Sequence, residues 1–267
     1  MTWFLDAAAA TGAAGGALGL LVPTAIGRLP EPRPEPVGED GADVNDIAPA
    51  ADEADFSRPV DEAKERYADL ARLPGLRWRC AVVCAVAAAV LGGRVGWSPA
   101  LLFLVYLVPV CVALSVVDWR TRYLPKLLVL PSYVVVAVLA VLASAVASDW
   151  GSLRSAAIGW VATYAFFWVV WFAVPRAWAY GDVRLSGVLG MALGWIGAAP
   201  LLVGIWCGFL LGGVGGLLLS RLRVFHRDHV PLGPFLAVGA WLGVVWWGEV
   251  ATAATAPARA ALSAISG

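Results

Sequence analysis

The chain contains a succession of apolar runs, and several of them reach the roughly 20 residues that a helix needs to cross a lipid bilayer. Hydrophobic residues make up 60% of the 267 residues, and charged residues make up 14%, against about 25% in a soluble domain. We therefore predict an all-α protein, a polytopic membrane helical bundle that has the lipid bilayer as its surroundings.

About eight transmembrane helices are predicted. Residues 197–200 (GAAP) divide one long apolar stretch into a short helix and a long one. The first run lacks the basic region of a cleaved signal peptide, so we expect a retained helix. The predicted spans are 3–27, 79–94, 99–117, 124–147, 153–175, 186–198, 200–220 and 231–252.

A polar segment interrupts the spans early in the chain. Thirteen of the 19 acidic residues lie between Glu31 and Asp69, and such a composition cannot bury a core. We expect disorder up to about residue 58 and a short helix over 60–72. The predicted domains are a first transmembrane helix (1–27), an acidic cytoplasmic linker (28–78), the main transmembrane bundle (79–252) and a short external tail (253–267).

The distribution of Lys and Arg predicts the orientation in the membrane. With eight spans, all but three of the 19 basic residues lie on one face; the exceptions are Arg94, Arg154 and Arg259. The positive-inside rule makes the basic face cytoplasmic. We therefore predict a multi-pass protein of the cytoplasmic (plasma) membrane, with both termini outside.

Two acidic residues at the ends of apolar runs are the candidates for chemistry. Only six acidic residues lie outside the acidic segment, and of these Asp118 and Asp182 stand in short loops between apolar runs on the predicted cytoplasmic face. A carboxylate at a membrane boundary is costly, which makes it a functional candidate. Loop or span-end positions are a sufficient account of the other four, which are Asp6, Asp149, Asp228 and Glu249.

Two carboxylates in one site do not both ionise readily, so one can accept a proton while the other donates one. Such a pair activates a water against a peptide carbonyl and protonates the leaving amine, without a metal or a covalent intermediate. Asp118 and Asp182 are 64 residues apart. They meet only if the bundle brings two helix ends together.

Several neighbours have properties that suit such a site. Gly181 lacks a Cβ, which allows close approach to the carboxylate of Asp182. Arg184 either holds an ionised carboxylate or extends to the membrane interface. Pro125 and Pro234 fix the backbone where helices begin.

Three motifs in order resemble those of a known family. Asp118 is followed after five residues by Leu124-Pro125, YGDVRL contains Gly181-Asp182, and GPFLA opens at Gly233. Over roughly residues 100–245 the chain is similar to the type IV prepilin peptidases, the GxGD-type intramembrane aspartyl proteases of prokaryotes. It departs from the family pattern at Ala179, where the family has Gly, and at Arg184, where it has Lys.

The resemblance implies a membrane aspartic endopeptidase that cuts the leader from type IV prepilin-like proteins at the cytoplasmic face. In the family the cut follows a Gly that ends a short basic leader, just before an apolar helix. The catalytic roles carry over to Asp118 and Asp182. Gly181, Arg184, Pro125, Gly233 and Pro234 are predicted to shape the site, and the partner is a prepilin or pseudopilin with a basic leader.

No metal and no cofactor are predicted. Many family members carry two CxxC pairs in the cytoplasmic segment, a zinc-binding spacing associated with methylation of the new N-terminus. Residues 28–79 contain no cysteine, and Cys80 and Cys84 are spaced CxxxC. An S-adenosylmethionine-dependent methyltransferase step is left open. His226 and His229 are interpreted as part of a solvated loop rather than a metal pair.

Two alternatives belong to other classes. An ion- or proton-coupled transporter would use the paired carboxylates for binding, and an inactive membrane scaffold would tolerate loss of either. A conduction site needs polar groups near the bilayer midplane, yet spans 99–117, 124–147 and 153–175 carry no charge in their interiors. The chain has no strongly basic surface of the kind that binds nucleic acid, so no nucleic-acid partner is predicted.

Overall fold

A computed structural model describes residues 3–31, 66–121, 124–173, 179–221, 231–246 and 248, with only the backbone described over 214–221. Every regular element in these parts of the chain is a helix, which confirms the all-α class. Most of the segment predicted to be disordered lies outside the described residues.

Ten helices occur in the described residues. In chain order they are α1 (Leu5–Gly19), α2 (Val22–Gly27), α3 (Tyr67–Ala71), α4 (Leu76–Val95), α5 (Leu101–Thr121), α6 (Lys126–Ala147), α7 (Trp150–Ala173), α8 (Tyr180–Ile196), α9 (Ala198–Arg221) and α10 (Gly233–Trp246).

Five segments of the described chain are long and apolar enough to cross a membrane: Leu5–Gly27, which joins α1 and α2, and helices α4, α5, α6 and α7. The chain is therefore a multi-pass membrane protein. The predicted number of eight spans is not confirmed, because α8 has only 17 residues and the apolar parts of α9 and α10 described here are also shorter.

The predicted helix ends at the two aspartates are wrong. We predicted loops at Asp118 and Asp182, but α5 continues to Thr121 and α8 already begins at Tyr180. Helix α5 continues because Val117 and Thr121 are buried with Asp118, and the Thr121 hydroxyl donates to the Val117 carbonyl at 2.8 Å. Helix α8 begins early because a carboxylate in the first turn is favourable at the positive end of a helix.

The predicted break between α8 and α9 is confirmed. Helix α8 ends at Ile196, and Gly197 follows with a φ of 150° before α9 begins at Ala198. This φ is in the region that side chains with a Cβ avoid. The glycine therefore allows the chain to end one helix and start the next without an intervening loop.

Helix α7 begins at Trp150 rather than at the predicted residue 153 because Asp149 caps it. The Asp149 carboxylate accepts the backbone N–H groups of Gly151 and Ser152 at 2.9 and 3.2 Å, and the Ser152 hydroxyl at 2.7 Å. These hydrogen bonds, led by the Ser152 hydroxyl, hold the pKa of Asp149 below its usual range. Asp149 therefore has a structural role, as its position indicated.

Small residues bring α1 close against α4. A Cβ on Gly19 would lie 2.7 Å from the Cys80 carbonyl oxygen, and one on Gly15 would lie equally close to that of Cys84. Close backbone approach through small residues is typical of helix pairs in membranes. The Thr11 hydroxyl adds a hydrogen bond of 2.9 Å to the Ala88 carbonyl. Cys80 and Cys84 are buried free thiols in this packing.

The order of the helices returns the chain to the end of the bundle where Asp118 lies. Helix α6 leads away from it for 22 residues, about 33 Å at 1.5 Å per residue. Helix α7 then leads back for 24 residues and α8 follows. Asp118 and Asp182 consequently stand at one end of the bundle, and Asp149 stands at the other.

The short helix α3 anchors the end of the acidic segment. It covers part of the predicted helix over 60–72. The Glu31 carboxylate accepts the backbone N–H groups of Tyr67 and Ala68, both at 3.1 Å. Tyr67 is buried in the same core as Ile26 of α2. The two ends of the segment 32–65 therefore meet at one place.

Candidate active site

Asp118 is buried in the last turn of α5, with 5% of its surface exposed. Its Oδ2 accepts the backbone N–H of Gly233, the first residue of α10, at 3.0 Å. A Cβ at position 233 would lie 2.8 Å from this oxygen, so the absence of a side chain is what lets the α10 backbone approach. The structure thus joins two of the residues predicted for the site.

Asp182 is equally buried, with 5% of its surface exposed, in the first turn of α8. Its backbone N–H donates to the Ala179 carbonyl at 3.0 Å, which holds the start of the helix. The position places its carboxylate at the end of α8 where unpaired backbone N–H groups stabilise a negative charge.

Leu124 connects the surroundings of the two aspartates. A Cβ on Gly181 would lie 2.6 Å from the Leu124 Cβ, and one on Gly233 would lie 3.4 Å from its Cδ2. Gly181 precedes Asp182, and Gly233 binds Asp118. The Leu124 side chain therefore lies between the two glycines, and the three sequence motifs meet around it.

Pro125 helps to position Leu124. It is buried, and it precedes α6 with an extended backbone (φ −65°, ψ 121°). Proline holds φ near this value, so it fixes the direction in which the chain leaves Leu124.

The two glycine positions of the GxGD pattern differ in how much they need a glycine. Ala179 precedes α8 with φ −81° and ψ 141°, an extended conformation open to any residue. Gly181 is packed so closely against Leu124 that a Cβ would overlap it. The departure from the family at Ala179 therefore costs no backbone strain, whereas the glycine that is retained is required sterically.

Arg184 and Pro234 lie beside the aspartates and make other contacts. The Arg184 guanidinium stacks over the ring of Tyr180, with its carbon 4.6 Å from the ring centre, a cation–π arrangement. Pro234 lines a large apolar groove between α4, α5, α8 and α10.

Two adjacent residues of α6, Ser132 and Tyr133, bind both aspartate-bearing helices, and our sequence reasoning missed them. The hydroxyls of Ser132 and Tyr106 of α5 are hydrogen-bonded at 3.1 Å. The Tyr133 hydroxyl donates to the Arg184 carbonyl of α8 at 2.6 Å. Their signal in the sequence is a pair of polar groups within an otherwise apolar span.

Helix α7 holds the first turn of α8 from another side. The hydroxyls of Tyr164 and Tyr180 are 2.8 Å apart, and the rings of Trp171 and Tyr180 meet edge to face at 5.2 Å. Helices α6 and α7 thus hold the first turn of α8, and with it Asp182, through contacts with Arg184 and Tyr180.

The described residues contain no group of three or more His, Cys, Asp or Glu side chains placed to hold a metal ion. The backbone carbonyls of Cys80 and Cys84 pack against Gly19 and Gly15 of α1. His226 and His229 lie outside the described residues. Asp118 and Asp182 are two buried carboxylates whose neighbouring glycines both pack on Leu124, and such a pair suits acid–base hydrolysis.

Comparisons with known proteins agree with the three motifs. Residues 105–217 match the model of the type IV leader peptidase family. This segment contains both aspartates, all of α8 and all but the first four residues of α5. The match confirms the resemblance predicted from the sequence.

Curated relatives share the name prepilin leader peptidase/N-methyltransferase. The chain is 30% identical to the Pseudomonas putida protein over 178 residues, which are 63% of this chain and 58% of the relative. It is 31% identical to the Aeromonas salmonicida (strain A449) protein over 182 residues, 66% of this chain and 58% of the relative. With the Burkholderia pseudomallei (strain 1026b) protein it shares 37% over 136 residues, 48% of this chain and 40% of the relative.

The chain spans less than two thirds of the length of these relatives. No solved structure gives a significant match.

Proposed function

We propose that this chain, whose residues 105–217 match the type IV leader peptidase family, is an aspartic endopeptidase of the membrane. Its substrates are type IV prepilin-like proteins, from which it removes the leader peptide. The observation that carries the proposal is the convergence on Leu124 of the glycines beside two buried aspartates, Asp118 and Asp182.

In the proposed mechanism the two carboxylates divide the proton transfers of peptide hydrolysis. One accepts a proton from a water that attacks the scissile carbonyl, and the other donates a proton to the leaving amine. The protons belong to the pair rather than to either residue. The Gly233 N–H holds one oxygen of Asp118 in place, and the packing of Gly181 on Leu124 fixes the start of α8.

Cleavage is proposed to occur at the cytoplasmic face, next to a basic leader. The distribution of Lys and Arg supports this face, and the acidic segment from Glu31 to Asp69 supplies negative charge for such a leader. No step of the cleavage uses a metal or S-adenosylmethionine. Methylation of the new N-terminus, which the relatives' names include, is not part of the proposal.

The test is co-expression with a prepilin, with leader removal measured by mass spectrometry of the substrate. Asp118→Asn and Asp182→Asn are each expected to abolish cleavage. Asp149→Asn is the matched control, because this exposed aspartate stands at the opposite end of α6. Cleavage retained in either of the first two variants, at normal protein levels, would overturn the two-aspartate mechanism.

Pilins and pseudopilins of secretion or competence systems fit the same chemistry, and the test distinguishes them by which substrate is shortened. The transporter alternative finds no support in the family match or in the relatives. The groups that would serve it are the same two aspartates, and they stand at helix ends rather than in the middle of a span.

A further inference from the structure

A long apolar groove begins beside the two aspartates. It has a volume of about 610 Å³ and lies between α4, α5, α8 and α10. Among the 25 residues that line it, only Arg79, Ser115 and Arg120 carry a charged group or a hydroxyl. The other lining residues are hydrophobic, among them Val83 of α4 and Val238 of α10.

One end of this groove is continuous with the candidate active site. Trp119 and Arg120 line it directly after Asp118, and Pro234 lines it directly after Gly233. Along α4 the lining runs from Leu76 to Leu91, about 22 Å at 1.5 Å per residue. The groove thus matches the length of about four turns of an apolar helix.

We propose that this groove binds the apolar helix that follows the scissile bond of the substrate. The inference rests on the proposed function and locates the part of the substrate that does not react. An apolar helix in an apolar groove is a common recognition mode. Here the continuity with Asp118 places the first turn of the helix beside the aspartates, so that the scissile bond lies over them.

The groove is open on one side. Val83 has 52% of its surface exposed, Val238 has 49% and Trp119 has 42%. A substrate helix that is already in the bilayer can therefore enter laterally, without passing through water. Because lipid tails are as apolar as the groove, binding depends on van der Waals packing rather than on a hydrophobic gain.

The two arginines of the groove define the direction of the substrate. Both are on the surface near the aspartate end, Arg79 on α4 and Arg120 on α5. Like charges at an interface disfavour the wrong partner or the wrong register. Arg79 and Arg120 therefore keep a basic leader out of the groove, and only the apolar segment is accepted there.

Two neighbouring residues of α4 provide a matched test. Val83 lines the groove, whereas Val82 does not and is similarly exposed, at 60% against 52%. A photoreactive benzoylphenylalanine replaces either valine in full-length protein with Asp182→Asn, so that bound prepilin is not cut. After irradiation, position 83 is expected to yield an adduct on the apolar segment of the prepilin, and position 82 is not.

Adducts of equal yield at both positions, none at either, or only lipid adducts at position 83 would overturn the proposal. The proposed function is judged separately, because it fails if the wild-type protein leaves the prepilin uncut. A protein that cuts prepilin but yields no substrate adduct at position 83 refutes the groove alone.

A second pair of variants measures the effect on the reaction. Val83→Trp fills the groove, and overpacking of this kind is expected to raise KM for prepilin about tenfold. Val82→Trp adds the same side chain to the lipid-facing surface and is expected to leave KM unchanged. Equal KM values in the two variants would contradict the proposal.

Discussion

The substitution Gly187→Ala tests how Tyr133 positions the second aspartate. The Tyr133 hydroxyl passes directly over Gly187 to reach the Arg184 carbonyl. A Cβ at position 187 would overlap the hydroxyl oxygen and would lie 3.1 Å from the ring carbon that bears it and 3.2 Å from Cδ1 of Trp160. The substitution therefore displaces either Tyr133 or the first turns of α8, where Asp182 lies.

The expected free-energy costs follow from these contacts. Gly187→Ala loses a hydrogen bond, about 1 kcal/mol, and overpacks the interface, about 1–3 kcal/mol. Tyr133→Phe alone costs about 1 kcal/mol, because the Arg184 carbonyl remains within the α8 hydrogen-bond ladder. With phenylalanine in place the hydrogen bond is already lost and the closest overlap is gone. The two substitutions should then couple by about 1–2 kcal/mol.

The assay is a double-mutant cycle. The melting temperature in detergent is followed by tryptophan fluorescence, and kcat and KM are measured on a prepilin. Gly187→Ala should lower both stability and kcat, and adding Tyr133→Phe should restore part of each. Gly213→Ala is the control, because this glycine of α9 has nothing within 4 Å of the added Cβ. Strictly additive effects of Gly187→Ala and Tyr133→Phe would refute the positioning role.

Four further predictions concern individual contacts. In Gly233→Ala the added Cβ would lie 2.8 Å from Asp118 Oδ2 and should displace this oxygen from the backbone N–H that it accepts. The variant should lower kcat roughly ten- to a hundredfold, since a hydrogen bond to a charged group contributes about 1.5–3 kcal/mol. An unchanged kcat would mean that this hydrogen bond has no part in catalysis. Ala179→Gly should leave kcat unchanged and slightly lower the melting temperature, because glycine adds freedom to the unfolded chain; a large gain in kcat would show that Ala179 narrows the site. Asp149→Ala should lower the melting temperature without affecting cleavage. Hydrogen bonds lower the pKa of Asp149, so its contribution to the stability of the wild type should be present above the ordinary pKa of an aspartate and disappear as the pH falls through the lower pKa of the folded state. Plots of melting temperature against acidic pH that run parallel for variant and wild type would contradict this. Residues 32–65 can be deleted because the residues that flank them, Glu31 and Tyr67, are in contact. The deletion should raise KM for a prepilin with a basic leader at low salt but not at high salt. Unchanged leader cleavage at low salt would exclude an electrostatic attraction between this segment and the leader.

The sequence predicted those features that depend on local composition. Apolar runs identified the membrane helices, and GAAP at 197–200 identified the break that Gly197 makes. The motifs around Asp118, Asp182 and Gly233 identified the residues that the fold brings together. These features are predictable because hydropathy, glycine and proline act within a few residues of where they stand.

The helix ends and the supporting residues depend on contacts between distant parts of the chain. Whether α5 continues through Asp118 depends on a partner for its carboxylate, and that partner, Gly233, is 115 residues away. Ser132 and Tyr133 are neighbours in sequence. Only the packing determines that Ser132 binds α5 and that Tyr133 binds α8. The apolar groove likewise has no local signal, because its lining comes from four helices.

The central claim is that folding brings Asp118 and Asp182 into one pocket, and a thiol cross-link measures this directly. Asp118→Cys and Asp182→Cys are combined in a protein whose four native cysteines are replaced, and the membrane-embedded protein is treated with the shortest bifunctional thiol reagent. The pair should form an intramolecular cross-link in high yield. Asp118→Cys combined with Asp149→Cys should not, because the length of α6, about 33 Å, separates these positions. A folded protein in which the 118–182 pair fails to cross-link, or does so no better than the 118–149 pair, would contradict the account.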